Sequence, residues 1–140
     1  MDMAAFEEAP AIPCRYVEVH DNLGTIVGAG IDTYWFPELP ADVQVLVAIP
    51  LAGIVEEFEE RQQHTLVNYV KDPRGEVIGE GRGGFAAEVQ LARPDFLAGI
   101  LLPLGVRFPA TEEGSYSIEF VVDDSGPTTT LPIHIVHGTR

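Results

Sequence analysis

Cysteine is nearly absent from this chain: Cys14 stands alone among 140 residues, so no intramolecular disulfide can form and a secreted, disulfide-stapled framework is excluded by counting. Basic side chains are scarce as well. One lysine and seven arginines face 22 acidic groups, for a formal net charge of -14. Such a surface repels polyanions and carries no basic amphipathic face, so neither nucleic acid nor a membrane is an expected partner. Long hydrophobic runs are missing too. The most apolar stretches, 43–49 and 96–104, are punctuated by proline and glycine and fall well short of the roughly 18 residues a membrane-spanning helix requires. The opening M-D-M-A-A-F-E-E-A-P-A-I-P lacks the basic start and apolar stretch of a secretory signal, which with the lone cysteine makes the cytoplasm the expected location.

What remains suffices for one soluble domain. With 46% hydrophobic and 21% charged residues, a chain of this length can bury roughly 68–70% of its unfolded surface without help from a disulfide or a structural metal. Residues 1–12 are expected to form a flexible or loosely docked arm and residues 13–138 a single domain. Fourteen glycines and eleven prolines are spread along the chain instead of marking a linker.

Helical periodicity is a further absence. Only Glu56–Gln63 and Pro94–Gly99 offer even a turn or two, whereas a period of two recurs. Tyr116, Ile118, Phe120 and Val122 alternate with Ser115, Ser117 and Glu119, as in a strand with one buried face. Leu131, Ile133 and Ile135 alternate similarly, and Pro132 inside that run predicts an edge strand. Val43–Ile49 is apolar on both parities and predicts a central strand buried on both faces. Further strands are expected at Arg15–His20, Thr25–Ile31, Thr65–Lys71, Phe85–Leu91 and Ile100–Phe108, the last with a bulge or strand switch at Pro103 and Gly105. Turn signals at Asn22–Gly24, Asp72–Gly75 and Asp123–Pro127 join them. The expected fold is therefore all-β: a two-sheet antiparallel immunoglobulin-like β-sandwich of about eight strands with at most one short helix.

Gly114-Ser115-Tyr116 opens the clearest strand with the G-x-Y arrangement of a tyrosine corner, in which the phenol hydrogen-bonds back to nearby main chain. Together with C-R-Y-V-E-V-H-D-N-L-G-T-I-V-G-A-G-I-D (Cys14–Asp32), F-P-E-L-P (Phe36–Pro40) and R-F-P-A-T-E-E-G-S-Y-S-I-E-F-V-V-D-D (Arg107–Asp124), this resembles a family of small bacterial β-sandwich proteins. Its members share an opening strand, a glycine-containing hairpin, an F-x-x-L-P-like segment and a closing F-P-x-x-G-x-Y strand. No activity is assigned to that family, so the resemblance implies a fold and no catalytic residue.

Several constellations invite chemistry. Gly79-Glu80-Gly81-Arg82-Gly83-Gly84 formally matches the dinucleotide-binding G-x-G-x-x-G. No long amphipathic helix follows it and Glu80 would face the phosphates, so a flexible glycine-rich loop is expected instead. His134 and His137 stand three apart, which in a strand points them to opposite faces; they converge on a metal only if the strand ends between them. His20-Asp21, His64 and the run Glu56–Glu60 read as surface histidines and a solvated acidic loop. Cys14 and His20 are about 20 Å apart along an extended strand and cannot pair as nucleophile and base, so Cys14 reads as a small buried hydrophobe. Asp123-Asp124 reads as a turn with Gly126 in preference to a calcium loop. No catalytic residue, metal ligand or cofactor is assigned.

Tyr34-Trp35-Phe36-Pro37 places three aromatics in succession, which one buried face cannot absorb. Tyr34, Trp35 and Phe36 are therefore the candidate partner-binding residues, since exposed aromatics anchor interfaces. The competing reading wedges Trp35 between the sheets with Tyr34 and Phe36 covering its other side. The expected function is a non-catalytic protein-binding or assembly module that meets itself or another protein through an edge strand or this patch. One rival is a small enzyme or metal- or ligand-binding protein using His20, His64, His134 or His137. Another is a structural subunit of a viral or cellular assembly, which rests on fold analogy alone.

Overall fold

Side chains that alternate along extended runs build two layers with an apolar interior. The computed structural model describes residues 7–8, 11–20, 23–54, 63–85, 97–123 and 128–140. In chain order the strands are β1 Glu7–Glu8, β2 Ile12–Cys14, β3 Tyr16–His20, β4 Leu23–Val27, β5 Thr33–Phe36, β6 Ala41–Ile54, β7 His64–Lys71, β8 Val77–Phe85, β9 Leu97–Ala110, β10 Gly114–Val122 and β11 Thr128–His137. Among the described residues there is no helix. The candidate helical segments lie largely outside them, as do most of the expected strand at Phe85–Leu91, the acidic run Glu56–Glu60, Asp21, and the turn residues 124–127.

In the first layer β6 pairs with β9 along its whole length, from Ala41 opposite Ala110 to Ile54 opposite Leu97. The other edge of β6 takes β2 opposite Leu46–Ala48 and then β1 opposite Leu51 and Ala52, so Glu7, Glu8 and Ile12 of the N-terminal stretch are paired into the sheet. The second layer has the order β5-β11-β10-β7-β8. All pairs are antiparallel except β5 with β11, which run parallel. The core lies between the layers. Val43, Val45, Val47 and Ile49 of β6, with Val106 and Phe108 of β9, meet Tyr116, Ile118 and Phe120 of β10 and Ile133 and Ile135 of β11, all almost completely buried. Each such side chain contributes roughly 1.5–3 kcal/mol by leaving water, so apolar contact alone holds the layers together. The expected all-β, immunoglobulin-like sandwich is the observed fold, with β6 central as its composition predicts.

The second parity of β6 and β9 is covered by the β3–β4 hairpin. Val17 pairs with Ile26 and Val19 with Gly24 on its inner face, and the absent side chain at Gly24 leaves room for Leu101. This explains why Ala48 is fully buried although it faces away from the core.

Three prolines show how alternation, and not composition, decides where a strand tolerates a missing N–H. In an antiparallel strand the N–H and C=O of one residue point the same way. Pro13 O accepts Gly30 N at 2.7 Å, so the Pro13 nitrogen faces away from β6 and, by alternation, the nitrogens of Pro103 and Pro109 face the edge of β9 away from β6, with which no strand pairs among the described residues. The β6–β9 ladder therefore runs in register through Pro103 and Gly105, where a bulge or switch was expected; the register shift lies instead between Val70 and Lys71 on β7. Pro132 has a similar correction. β11 is flanked by β10 and, from His134 onward, by β5. His134 N donates to Asp32 O at 2.7 Å, so the Pro132 nitrogen faces the same side, just before β5 begins. β11 is an edge only over its first half, and among the described residues β5 and β8 are the two edge strands of the sheet.

The Asp72–Gly75 turn forms as expected, capped by its own aspartate. Asp72 Oδ1 accepts the N–H groups of Arg74 and Glu76, both at 2.9 Å, and Asp72 Oδ2 accepts Arg74 Nη2 at 3.2 Å. Burial works against the charged carboxylate, but these main-chain donors and the Arg74 guanidinium outweigh it and hold the Asp72 carboxyl below its ordinary value. A carboxyl depressed in the folded state contributes stability that is present above its unfolded pKa, about 4, and is lost as pH falls through the lower folded value. Denaturant midpoints followed from neutral to strongly acidic pH are expected to fall in that acidic window. The fall should be blunted in Asp72→Asn, and identical pH profiles for the two proteins would refute this assignment.

Candidate functional site

The aromatic run forms β5, and strand parity divides it. Tyr34 and Phe36 turn inward and pack against the core, while Trp35 turns outward and is 44% exposed. Of the three candidate residues only Trp35 presents a free face. The tryptophan is not wedged between the sheets, because the neighbours on either side occupy that position. Burial pushes the Tyr34 phenol up, keeping it neutral. Asp32 O and Phe36 O accept His134 N and Gly138 N from the β11 side at 2.7 and 2.8 Å. By alternation the main-chain groups of Thr33 and Trp35 face the opposite way, and no strand pairs with β5 on that side among the described residues.

Beside this edge lies a shallow cleft of about 510 Å³, bordered by Trp35, Asp32, Arg15, Arg140 and the Gly28–Gly30 turn. Gly28 has a φ of 67°, and a Cβ there would stand 2.9 Å from Arg15 Cγ. Glycine at this position both makes the turn and leaves room for the stem of Arg15, which borders the cleft. Arg15 and Arg140 escaped the sequence reading because they sit at opposite ends of the chain. The only local hint was the G-A-G turn.

The four histidines are dispersed. His20 is bound to Glu18 on the outer face of the hairpin. His134 Nδ1 bonds Ser115 Oγ at 2.8 Å, and His137 Nε2 donates to Pro37 O at 3.1 Å. Among the described residues no group of three or more His, Cys, Asp or Glu side chains is placed to hold a metal. His64 is the exception in burial: 5% exposed, it meets Asp123 Oδ2 through Nδ1 at 2.8 Å and stacks on Phe85 with ring centroids 5.3 Å apart. A carboxylate–imidazole pair is half of an acyl-transfer constellation. Cys14 does not complete it: the thiol lies in the other sheet, donates to Leu46 O at 3.6 Å, and is pushed up by burial, the wrong direction for a nucleophile.

The glycine-rich stretch is neither a phosphate cradle nor a loop. It is β8, paired with β7, and its period of two is carried by glycine: Gly79, Gly81 and Gly83 lie opposite Val70, Asn68 and Leu66 on the core side, with Glu80 and Arg82 on the other. An extended, paired backbone cannot wrap a pyrophosphate. With only glycine at 79, 81 and 83 on that face, a cleft of about 280 Å³ opens between the layers, walled by Leu66, Asn68 and Phe85 on one side and Leu102 and Leu104 on the other.

These features define a class, an all-β sandwich with one exposed aromatic edge. No family model matches the chain, and no curated protein matches it. Among solved structures it is similar to the CARDB domain of a Pyrococcus furiosus protein, crystallised in complex with di-metal ions. The two are 14% identical, with a TM-score of 0.45 over 76% of this chain and 86% of that one. At that distance the ions belong to the other domain and transfer nothing to this chain.

Proposed function

We propose that this chain is a non-catalytic protein-binding or assembly module that docks through the free edge of β5. The observation that carries the reading is Trp35, exposed on an edge strand whose Thr33 and Trp35 main-chain groups point away from the sheet. A large aromatic beside unpaired N–H and C=O groups supplies both anchor and register for strand addition. Two of the other edges are guarded. Pro103 and Pro109 break the outward donors of β9, and Pro132 does so for the uncovered half of β11. The lone cysteine and acidic surface support a cytoplasmic setting, and the motifs support kinship with the small bacterial sandwich proteins they resemble. No helix among the described residues is long and apolar enough to cross a membrane.

The test combines light scattering with cross-linking mass spectrometry on the native chain and a Trp35→Lys variant. Expected are an oligomer or a captured partner with cross-links falling on residues 33–37, both lost in the variant. A monomer at every concentration with no cross-link on β5 would sink the reading.

A further inference from the structure

We propose that the cleft beside β5 takes an extended acidic segment of a partner protein, which adds as a strand along β5, covers Trp35 and sets a carboxylate against Arg15 and Arg140. This rests on the reading of β5 as the docking edge and names the chemistry of what docks there.

The argument is charge complementarity. Lys71 is held by Glu119 at 3.2 Å, and Arg74 lies 3.2 Å from both Asp72 and Glu112. Arg107 is bonded to Gln44 at 3.4 Å. Among the described residues neither Arg15 nor Arg140 has a side-chain acceptor within hydrogen-bond or ion-pair distance, and both border one cleft. In a chain with 22 acidic and 8 basic groups, that pairing of arginines is a local inversion of the net charge. Asp32 also lines the cleft, its Oδ1 accepting the Thr33 hydroxyl at 3.0 Å, so one carboxylate stands there against two guanidinium groups.

A guanidinium engages a carboxylate through two parallel N–H donors and stacks on an indole, so Arg15, Arg140 and Trp35 together suit an acidic side chain on an extended backbone. The distant carboxylates oppose this weakly at physiological salt, where charges more than about 8 Å away are largely screened.

Trp35 is the only tryptophan, so its emission reports the cleft directly. Three short peptides of alternating valine and threonine, carrying two central glutamates, glutamines or lysines, are titrated against the full chain. The glutamate peptide is expected to shift Trp35 emission to the blue and to bind about tenfold tighter than the glutamine peptide. Arg15→Glu with Arg140→Glu should reverse the preference toward lysine, and Arg15→Gln with Arg140→Gln should abolish it. Both positions are exposed, and circular dichroism checks that each variant folds. Equal binding of the glutamate and glutamine peptides, unchanged by charge reversal, overturns the acidic preference while the docking edge stands. No response to any peptide overturns both. A dimer that buries Trp35 by itself overturns the acidic partner in favour of a second copy.

Discussion

Tyr116→Ala is expected to destabilise the fold by about 3–5 kcal/mol, the cost of deleting a large aromatic from a close-packed interior. Tyr116 is 1% exposed, and its ring meets Phe108 with centroids 5.3 Å apart. Tyr116→Phe isolates the corner. The phenol donates to Glu112 O at 2.8 Å and accepts Glu112 N at 3.3 Å, pinning the turn that joins β9 to β10 across the two layers. Losing both bonds while keeping the ring should cost about 1–2 kcal/mol, or roughly 3–8 °C in Tm. Urea denaturation of the two variants separates packing from the corner. A phenylalanine variant as stable as the native chain would show that the hydroxyl contributes nothing, and a mild alanine variant would show that the core repacks.

The corner was legible because G-S-Y sits at the head of a strand whose alternation is uninterrupted from Tyr116 to Val122. Where side chains carry the period of two, sequence and structure agree on the buried face, as in β10 and along Leu131–Ile135 of β11. Disagreement follows the residues that carry no such signal. From Gly79 to Gly83, β8 alternates glycine with charge, so that stretch contributes no hydrophobicity and reads as a loop. Pro50, Pro103 and Pro109 look like strand breakers, yet each falls where its nitrogen faces away from the principal ladder, and β6 and β9 run on past them. β5 has four residues, too few to show a period, although Tyr34-Trp35-Phe36 already implied that one parity must face outward.

Chemistry was less legible than fold for a related reason. Trp35 announces itself within a tripeptide, but the arginines beside it are brought there by the parallel pairing of β5 with β11 and by the turn that folds Arg15 over Gly28. Neither arrangement leaves a local pattern. The same holds for His64 and Asp123, 59 residues apart in sequence and joined only because β7 and β10 are neighbours. His134 and His137 show the converse: a suggestive spacing that strand geometry sends to separate partners on β10 and the Pro37 turn.

Asp123→Ala carries the second large expected effect, about 2–4 kcal/mol. Three contributions converge on this residue. Its φ of 55° lies in the left-handed region, which aspartate and asparagine tolerate and alanine resists by about 1 kcal/mol. Oδ1 accepts Thr65 N at 3.0 Å while Asp123 N donates to Thr65 O at 2.9 Å, closing the end of the β7–β10 ladder. Oδ2 accepts from the buried His64 imidazole, and withdrawing a partner from a buried polar group costs about 1–3 kcal/mol. Two companions apportion the effect. Asp123→Gly relieves the backbone but removes both acceptors, so it should recover only about 1 kcal/mol of the loss. Asp123→Asn keeps the conformation and one carbonyl acceptor, and it should fall closest to the native chain. Chemical denaturation orders the series; if glycine restored full stability, the side-chain bonds would be irrelevant and the strained turn would be the whole explanation.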